Sequence, residues 1–275
     1  MTYNVKVLCD SVYNGSRLTT LLMTMPRFIL AEFNTHRKLS RNSASSRAIP
    51  VEKRVSMMLS EPFIPEAFGA NKRGMQAGDV LDPIAQEHAR DVWLRAAASA
   101  ASYAKELAQL GIHKQWANRL IEPFAWHEVV ASSTEWENFL NLREHPAAQP
   151  EIQVVARLTR EALAASVPVP MALGDWHMPF LMEEDLLVHF TDERLLKLSV
   201  ARAARVSYLT HDTGKRDPEA DVALHNMLLE NRHLSPFEHC AQVVEPADYK
   251  SSNFDSPWLQ YRKMIPGESI FRGVK

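Results

Sequence analysis

The densest chemistry in the chain lies at positions 36–47, which read H-R-K-L-S-R-N-S-A-S-S-R. One His, three Arg, one Lys and four hydroxyls fall together there with no acid among them. Arg supplies a rigid fork of N–H donors, and Ser adds neutral donors without bulk. Such a run suits a bound phosphate or an electron-rich ring. A solvated basic face accounts for Lys38 and Arg41, but not for the Ser and Asn spacing. The run follows the apolar segment 26–33, so it begins where a buried element surfaces.

The elements that must carry this run read as a mixed α/β chain. Val5, Val7 and Leu8 fit a short strand, and 17–25 a second one rich in Thr and Leu. Stretches 128–131 and 241–244 fit two more. Pro26 suits the first turn of a helix running to about residue 37, with Phe28, Ile29, Ala31 and Phe33 on its buried side. Positions 62–78 are loop-like, with Pro65, Gly69, Gly74 and Gly78. Asp82 and Pro83 then cap and open a long helix that Gly111 stops, and the alanine run 96–101 within it permits close packing. A short helix over 114–121 breaks near Pro123. Further helices are expected over 134–143, 151–165, 195–206 and 221–231. That over 151–165 places Ile152, Val155, Ala156, Thr159 and Leu163 on one face.

Composition narrows the class. With 275 residues, 46% of them hydrophobic, the chain is long enough for a sizeable core. A net charge of −2 argues against a general nucleic-acid coat, so any anion site is a local cluster. Cys9 and Cys240 are the two cysteines, and neither has a partner at metal-ligand spacing. They read as small hydrophobes and fit a reducing cytoplasm. No apolar run reaches membrane-spanning length, and the N-terminus lacks the pattern of a secretory signal.

Three blocks resemble the flavin-dependent thymidylate synthases. Thr35, His36, Arg37, Ser40, Asn42, Ser45 and Arg47 fall on that family's R-H-R-x-x-S-x-N-x-x-S-x-R, with Thr35 in place of the first Arg. Asn138, Phe139, Leu140, Asn141, Leu142 and Arg143, then Ala148, Gln149, Glu151 and Ile152, are similar to its F-L-x-L-R…A-Q-x-E-I stretch. Ala204, Arg205, Val206, Ser207 and Tyr208, then 233–239 (H-L-S-P-F-E-H), resemble A-R-V-S-Y…G-H-x-S-P-F-E-H, with Arg232 in place of Gly. In the family this last block comes first. Here it comes last, so the chain resembles a circularly permuted member. Permutation is tolerated where the original termini lie close together at the surface.

The resemblance implies an α/β (α+β) fold of the flavin-dependent thymidylate synthase type, a mixed sheet with long helices, in one domain over 1–275. Residues 51–111 match no family block and read as a helical and loop insertion. It implies reductive methylation of dUMP to dTMP, with FAD as cofactor and NADPH and methylenetetrahydrofolate as co-substrates. No enzyme nucleophile is implied. Arg143 takes the place of the pyrimidine reader, where a guanidinium facing the ring raises electron density at C5. Taken from the residues alone, Arg143 is a cation ending a helix. Ser45 and Arg47 match nucleotide-phosphate contacts. Arg119 matches a further nucleotide contact, with pairing to Glu122 as its bland alternative. His36, Arg37, Asn138, Ser235 and His233 match positions around the flavin. Glu32 replaces a Gln near the nucleotide and needs an Arg partner, for which Arg27, Arg37 and Arg41 are candidates. Ser132, Ser133 and Thr134 replace a stretch that carries an Arg.

The family also assembles its site between subunits, commonly in a homotetramer. The helix over 151–165 and the alanine run are the faces expected to bury such an interface. No nucleic-acid polymer and no membrane are expected as partners. Three other readings compete. A sister enzyme would leave a hydroxymethyl group on the pyrimidine. A non-catalytic flavin or nucleotide binder would keep the fold alone. A metal hydrolase would use His225, His233 and His239, which lack a tight ligand pair.

Overall fold

The computed structural model describes residues 1–188, 190–208 and 217–270. A tight hairpin starts the chain. Strand β1 (Asn4–Tyr13) returns as β2 (Ser16–Pro26) through Asn14 and Gly15, both at positive φ, 47° and 82°. That pair of left-handed residues matches the twist of the flanking strands. β2 pairs in turn with β4 (Trp126–Ser133), and β4 with the short edge strand β3 (Ser40–Ser43). With β5 (Val169–Pro170) parallel to β1, the sheet order is β3-β4-β2-β1-β5. A second sheet orders β6 (Trp176–His177), β7 (Ala241–Val243) and β8 (Trp258–Gln260).

The helices, in chain order, are α1 (Leu30–Phe33), α2 (Val51–Ser60), α3 (Pro83–Gln109), α4 (Lys114–Ala117), α5 (Glu137–Arg143), α6 (Pro150–Ala165), α7 (Glu183–Leu187), α8 (Asp192–Arg205), α9 (Pro218–Glu230) and α10 (Tyr261–Met264). Asp82 caps α3 by accepting from the N–H groups of Ile84 and Ala85, both at 3.0 Å. Beyond α9 the chain turns back through Arg232, at φ 58°. There the N–H of His233 reaches the carbonyl of Leu228 and that of Arg232 the carbonyl of Leu229, the paired bonds of a Schellman cap. Glycine normally takes that left-handed position. Arg232 occupies it while its guanidinium holds the carbonyl of Pro266 at 3.1 Å.

The two sheet faces differ in chemistry. Leu21, Met23 and Met25 of β2 and Val129 and Ala131 of β4 pack under Phe139 of α5 and Ile152, Val155 and Ala156 of α6. Thr20 and Ser132, directly opposed in the ladder, point to the other face. There a buried chain of hydrogen bonds runs from Ser11 Oγ to His177 Nδ1 (2.9 Å), His177 Nε2 to Thr20 Oγ1 (2.8 Å), Thr20 to Ser132 (2.7 Å) and Ser132 to His239 Nδ1 (2.8 Å).

Two expectations need correction. The helix over 26–37 stops at Phe33, after a 3-10 turn over Arg27–Ile29. Pro26 ends β2 rather than opening that helix. Thr35 Oγ1 donates to the carbonyl of Glu32 at 2.6 Å, a side-chain bond that competes with further helical turns. The faces assigned to a subunit interface are also used internally. The apolar side of α6 covers the sheet, and Ala97, Ala101 and Ala104 of α3 pack on Val51, Val55 and Met58 of α2.

Candidate functional site

The 36–47 run is not one element. It leaves α1, forms β3 on the edge of the sheet, and continues as a loop to Pro50. Three separate anchors hold it, and each carries some of the residues singled out above.

At its start, Arg143 reaches over from the end of α5. Arg143 Nε donates to His36 Nε2 at 2.8 Å, and Nη2 donates to Thr35 Oγ1 at 3.0 Å. Nη1 lies 3.7 Å from Glu32 Oε2, an ion-pair distance rather than a hydrogen bond. Glu32 therefore faces Arg143, not Arg27, Arg37 or Arg41. The acceptor role at Nε2 puts the proton of His36 on Nδ1. His36 is buried, its ring edge-on to Phe139 with centroids 5.0 Å apart. Burial, with the charges of Arg143 and Arg41 adding to it, pulls its pKa down to about 4. Arg41 also bonds the His36 carbonyl through Nη1.

In the middle, Ser40 is fully buried and accepts from Gln260 Nε2 at 2.9 Å and Asn253 Nδ2 at 3.2 Å. The same Gln260 amide donates to the carbonyl of Glu238 at 2.9 Å. One side chain thus ties the His-Arg run to the 3-10 turn Ser235–Glu238, at whose head Ser235 is exposed. His233 is exposed beside it. His239 is buried, and burial lowers its pKa to about 3. Lys38 and Thr134 both bond the Asp255 carboxylate, at 2.6 Å and 2.7 Å, and pin the same C-terminal segment.

At its end, the N–H of Ser45 donates to the carbonyl of Ser207 at 2.9 Å. The third sequence block therefore touches the first here too. Asn118 Nδ2 holds the carbonyls of Ser46 (2.8 Å) and Ile49 (2.9 Å). Glu122 collects the Ser46 hydroxyl, Arg27 at 3.3 Å and Arg119 at 3.2 Å. The pairing of Arg119 with Glu122 is thus present, and it sets Arg119 close to the loop that bears Arg47. Among the described residues, no hydrogen bond or ion pair engages the guanidinium of Arg37 or Arg47, and both are exposed. Asn138, on α5, is exposed as well.

Burial raises the Cys9 thiol to about 11 and the Cys240 thiol to about 12, which suppresses the thiolate. His225 stacks on Tyr261 with centroids 6.2 Å apart. Among the described residues no cluster of His, Cys, Asp and Glu has the arrangement to hold a metal ion, and no helix is long and apolar enough to cross a membrane. A cleft of about 250 Å³ between β2, α5 and α6 is lined by Arg17, Trp136, Leu140 and Arg160, none of them in the predicted set. Sequence reading missed Gln260 and Asn253. An isolated amide near a chain end gives no local signal.

A model of the thymidylate synthase complementing protein family matches residues 8–169. That is more than half of the chain, and the chain belongs to this family. Its members are the flavin-dependent thymidylate synthase-like methyltransferases. The match spans the first two blocks and stops before 204–208 and 233–239. Among solved structures, the UMP/dUMP methylase PolB from Streptomyces cacaoi bound with 5-Br UMP is 16% identical at a TM-score of 0.49, over 59% of this chain and 89% of that one. Thymidylate Synthase X (ThyX) from Helicobacter pylori with FAD and dUMP is 18% identical at a TM-score of 0.37, over 53% of this chain and 67% of that one. No curated protein matches the chain.

Proposed function

We propose that the chain catalyses the reductive methylation of dUMP to dTMP. The observation that carries this reading is the contact between Arg143 and His36, 2.8 Å apart in space and 107 positions apart in sequence. It joins the family's F-L-x-L-R arginine to its His-Arg motif. An arginine ending a solvent-facing helix would have no reason to reach a buried imidazole.

The residues present fit an anionic, electron-rich ligand set. Arg37 and Arg47 are exposed guanidiniums with spare donors, and Ser235 and His233 add further polar groups at and just before the turn beside β3. In this reading Ser45, Arg47 and Arg119 take the phosphate end of the nucleotide. His36, Arg37, Asn138, Ser235 and His233 hold FAD. When bound, reduced flavin and methylenetetrahydrofolate supply hydride and carbon, with NADPH as the source of reducing equivalents. The chain's own part is electrostatic. Arg143 sets positive charge against the pyrimidine carbonyls and stabilises the negative charge that builds up as C5 is alkylated. His36, neutral above about pH 4, accepts from Arg143 without competing for that charge.

A permuted domain over 1–275 accounts for two observations together. The family match ends before the third block, because a model read in order cannot return to its own beginning. Yet that block packs on the first through Ser207 and Gln260. Residues 51–111 read as an addition whose α2 and α3 share an apolar cluster with Ala117, Ile121 and Ala125 beyond it. The exposed position of Arg37, Arg47 and Ser235 favours a homo-oligomer in which a neighbouring subunit closes the site.

The test begins with the absorption spectrum of the purified protein, which should show bound flavin that responds to dUMP. Incubation with dUMP, NADPH and methylenetetrahydrofolate should then yield a product heavier by one methylene. A product heavier by the elements of formaldehyde, one carbon, two hydrogens and one oxygen, would reassign the chain to the sister reaction. A yellow protein that oxidises NADPH and leaves dUMP unchanged would refute catalysis on this substrate.

A further inference from the structure

Two positions depart from the pattern that the resemblance implies, Thr35 for Arg at the head of the first block and Glu32 for Gln just before it. Both touch the same group. Thr35 Oγ1 accepts from Arg143 Nη2 at 3.0 Å, and Glu32 Oε2 lies 3.7 Å from Nη1. The Thr35 hydroxyl donates its own proton to the Glu32 carbonyl at 2.6 Å, which turns its lone pairs toward Arg143. A cation at position 35 has no acceptor to offer Arg143 in place of this hydroxyl. A neutral acceptor there and a carboxylate one helical turn back form a matched pair.

We propose that Thr35 and Glu32 are positioning residues for Arg143. With His36 they engage three sides of its guanidinium and fix the plane in which the remaining N–H groups are presented. Nε is used by His36, and one Nη2 proton by Thr35. Among the described residues no hydrogen bond occupies Nη1, and Glu32 stands beyond bonding distance. The Nη1 and Nη2 edge is thus oriented and unspent. That edge is the part a pyrimidine carbonyl requires, so this inference rests on the reading of Arg143 given above. The departures at 32 and 35 are then coupled: they replace one way of steadying Arg143 with another.

The test uses Thr35→Val, Thr35→Ser, Glu32→Gln and Arg143→Lys in the full chain. The first readout needs no substrate: the Nε–H resonance of Arg143 in nitrogen-15 labelled protein, assigned by its loss in Arg143→Lys. It should shift or broaden in Thr35→Val and stay in place in Thr35→Ser. With dUMP, Thr35→Val should lose about tenfold in kcat with a smaller change in KM, because a tilted guanidinium serves the transition state less well than the ground state. Thr35→Ser should recover kcat to within about twofold. Glu32→Gln should change KM for dUMP by about threefold or more. Flavin content should be equal in all variants. An unmoved Arg143 resonance, with parental kcat and KM in Thr35→Val and Glu32→Gln, would overturn the proposal. A parent protein inert toward dUMP would instead sink the functional reading, and the resonance would still decide whether the cradle exists.

Discussion

Arg143 and Arg202 show two ways of holding a guanidinium. Arg202, in the middle of α8, bonds Asp185 Oδ1 at 2.8 Å, Asp221 Oδ2 at 3.0 Å and the carbonyl of Phe180 at 3.1 Å. Its side chain is 6% exposed, and Arg205 shares Asp221 with it at 2.8 Å. Arg143 is 21% exposed and rests on two neutral acceptors, with the Glu32 carboxylate at 3.7 Å. The first arginine is saturated, so its charge is committed to packing α8 against α7 and α9. The second is oriented without being neutralised, and in the reading proposed above its remaining charge serves the pyrimidine. On that reading, equal residue types serve structure or chemistry according to how completely their partners satisfy them.

The sharpest way to break this contrast is to truncate each arginine in turn. Arg202→Ala removes the buried cation that the Asp185 and Asp221 carboxylates share, and urea unfolding should show a loss of about 3–5 kcal/mol. Nucleotide affinity per folded molecule should be unchanged. Should the loss stay below about 1 kcal/mol, the α8 cluster is not the structural arginine described here. Arg143→Ala should behave in the opposite sense. Its kcat/KM with dUMP should fall by about 10²–10³, as for removal of one donor from a developing anion. Its unfolding free energy should move by less than about 1 kcal/mol. Equal losses of activity and stability in this variant would erase the distinction.

Acidity extends the comparison from arginines to histidines. Burial holds His177 and His239 at about 3, against 6.5 for an ordinary imidazole. Between those values the unfolded chain binds protons that the folded chain refuses. Stability is therefore whole above about pH 6.5 and is lost as pH falls toward 3, by about 2 kcal/mol per histidine at pH 5. Denaturant curves from pH 7 to pH 5 should show this slope, and His239→Asn should flatten it. His36 titrates near 4, so its own protonation should leave dUMP binding untouched over the upper part of the same range, where the nucleotide phosphate, with a second pKa of about 6, sets the slope. The smallest effect concerns a third arginine. In Arg232→Gly, relief of the left-handed backbone, about 1 kcal/mol, opposes loss of the bonds to Pro266. Global stability should barely change, while amide exchange across 261–268 should quicken.

Much of the site was legible because its parts are local patterns. Positions 36–47 declared a donor-rich run, and the arginine at the end of 138–143 lay where a cation suits a helix terminus. The strands over 17–25 and 128–131 and the helix over 151–165 fall within elements of the same type, and that over 195–206 does so up to Arg205, where α8 gives way to a 3-10 turn. What escaped notice depends on partners distant in sequence. β3 lies inside the donor-rich run, and Ser-Arg-Asn-Ser has none of the alternation that marks a strand; its place on β4 makes it one. α2 follows Pro50 with a mixed composition and is fixed by Ala97, Ala101 and Ala104 of α3. Glu32 called for an arginine, and three nearby ones were candidates. Its partner came from more than a hundred positions away, which no local spacing encodes. Ser40 belongs to the family motif, yet its hydroxyl is consumed by Gln260 and Asn253 rather than left for a ligand.

The hydroxyl and imidazole chain beneath the sheet restricts how the strands can align. Thr20 and Ser132 are cross-strand partners on β2 and β4, and Ser40 on β3 stands opposite Ser132. Sliding β2 along β4 by a single position would swing Thr20 toward the methionine and leucine side and bring an apolar residue against two imidazoles. A misaligned sheet would thus bury stranded polar groups on both surfaces at once. Fidelity of pairing in this protein follows from a few small alcohols in mid-strand, where an all-aliphatic ribbon would tolerate the slip.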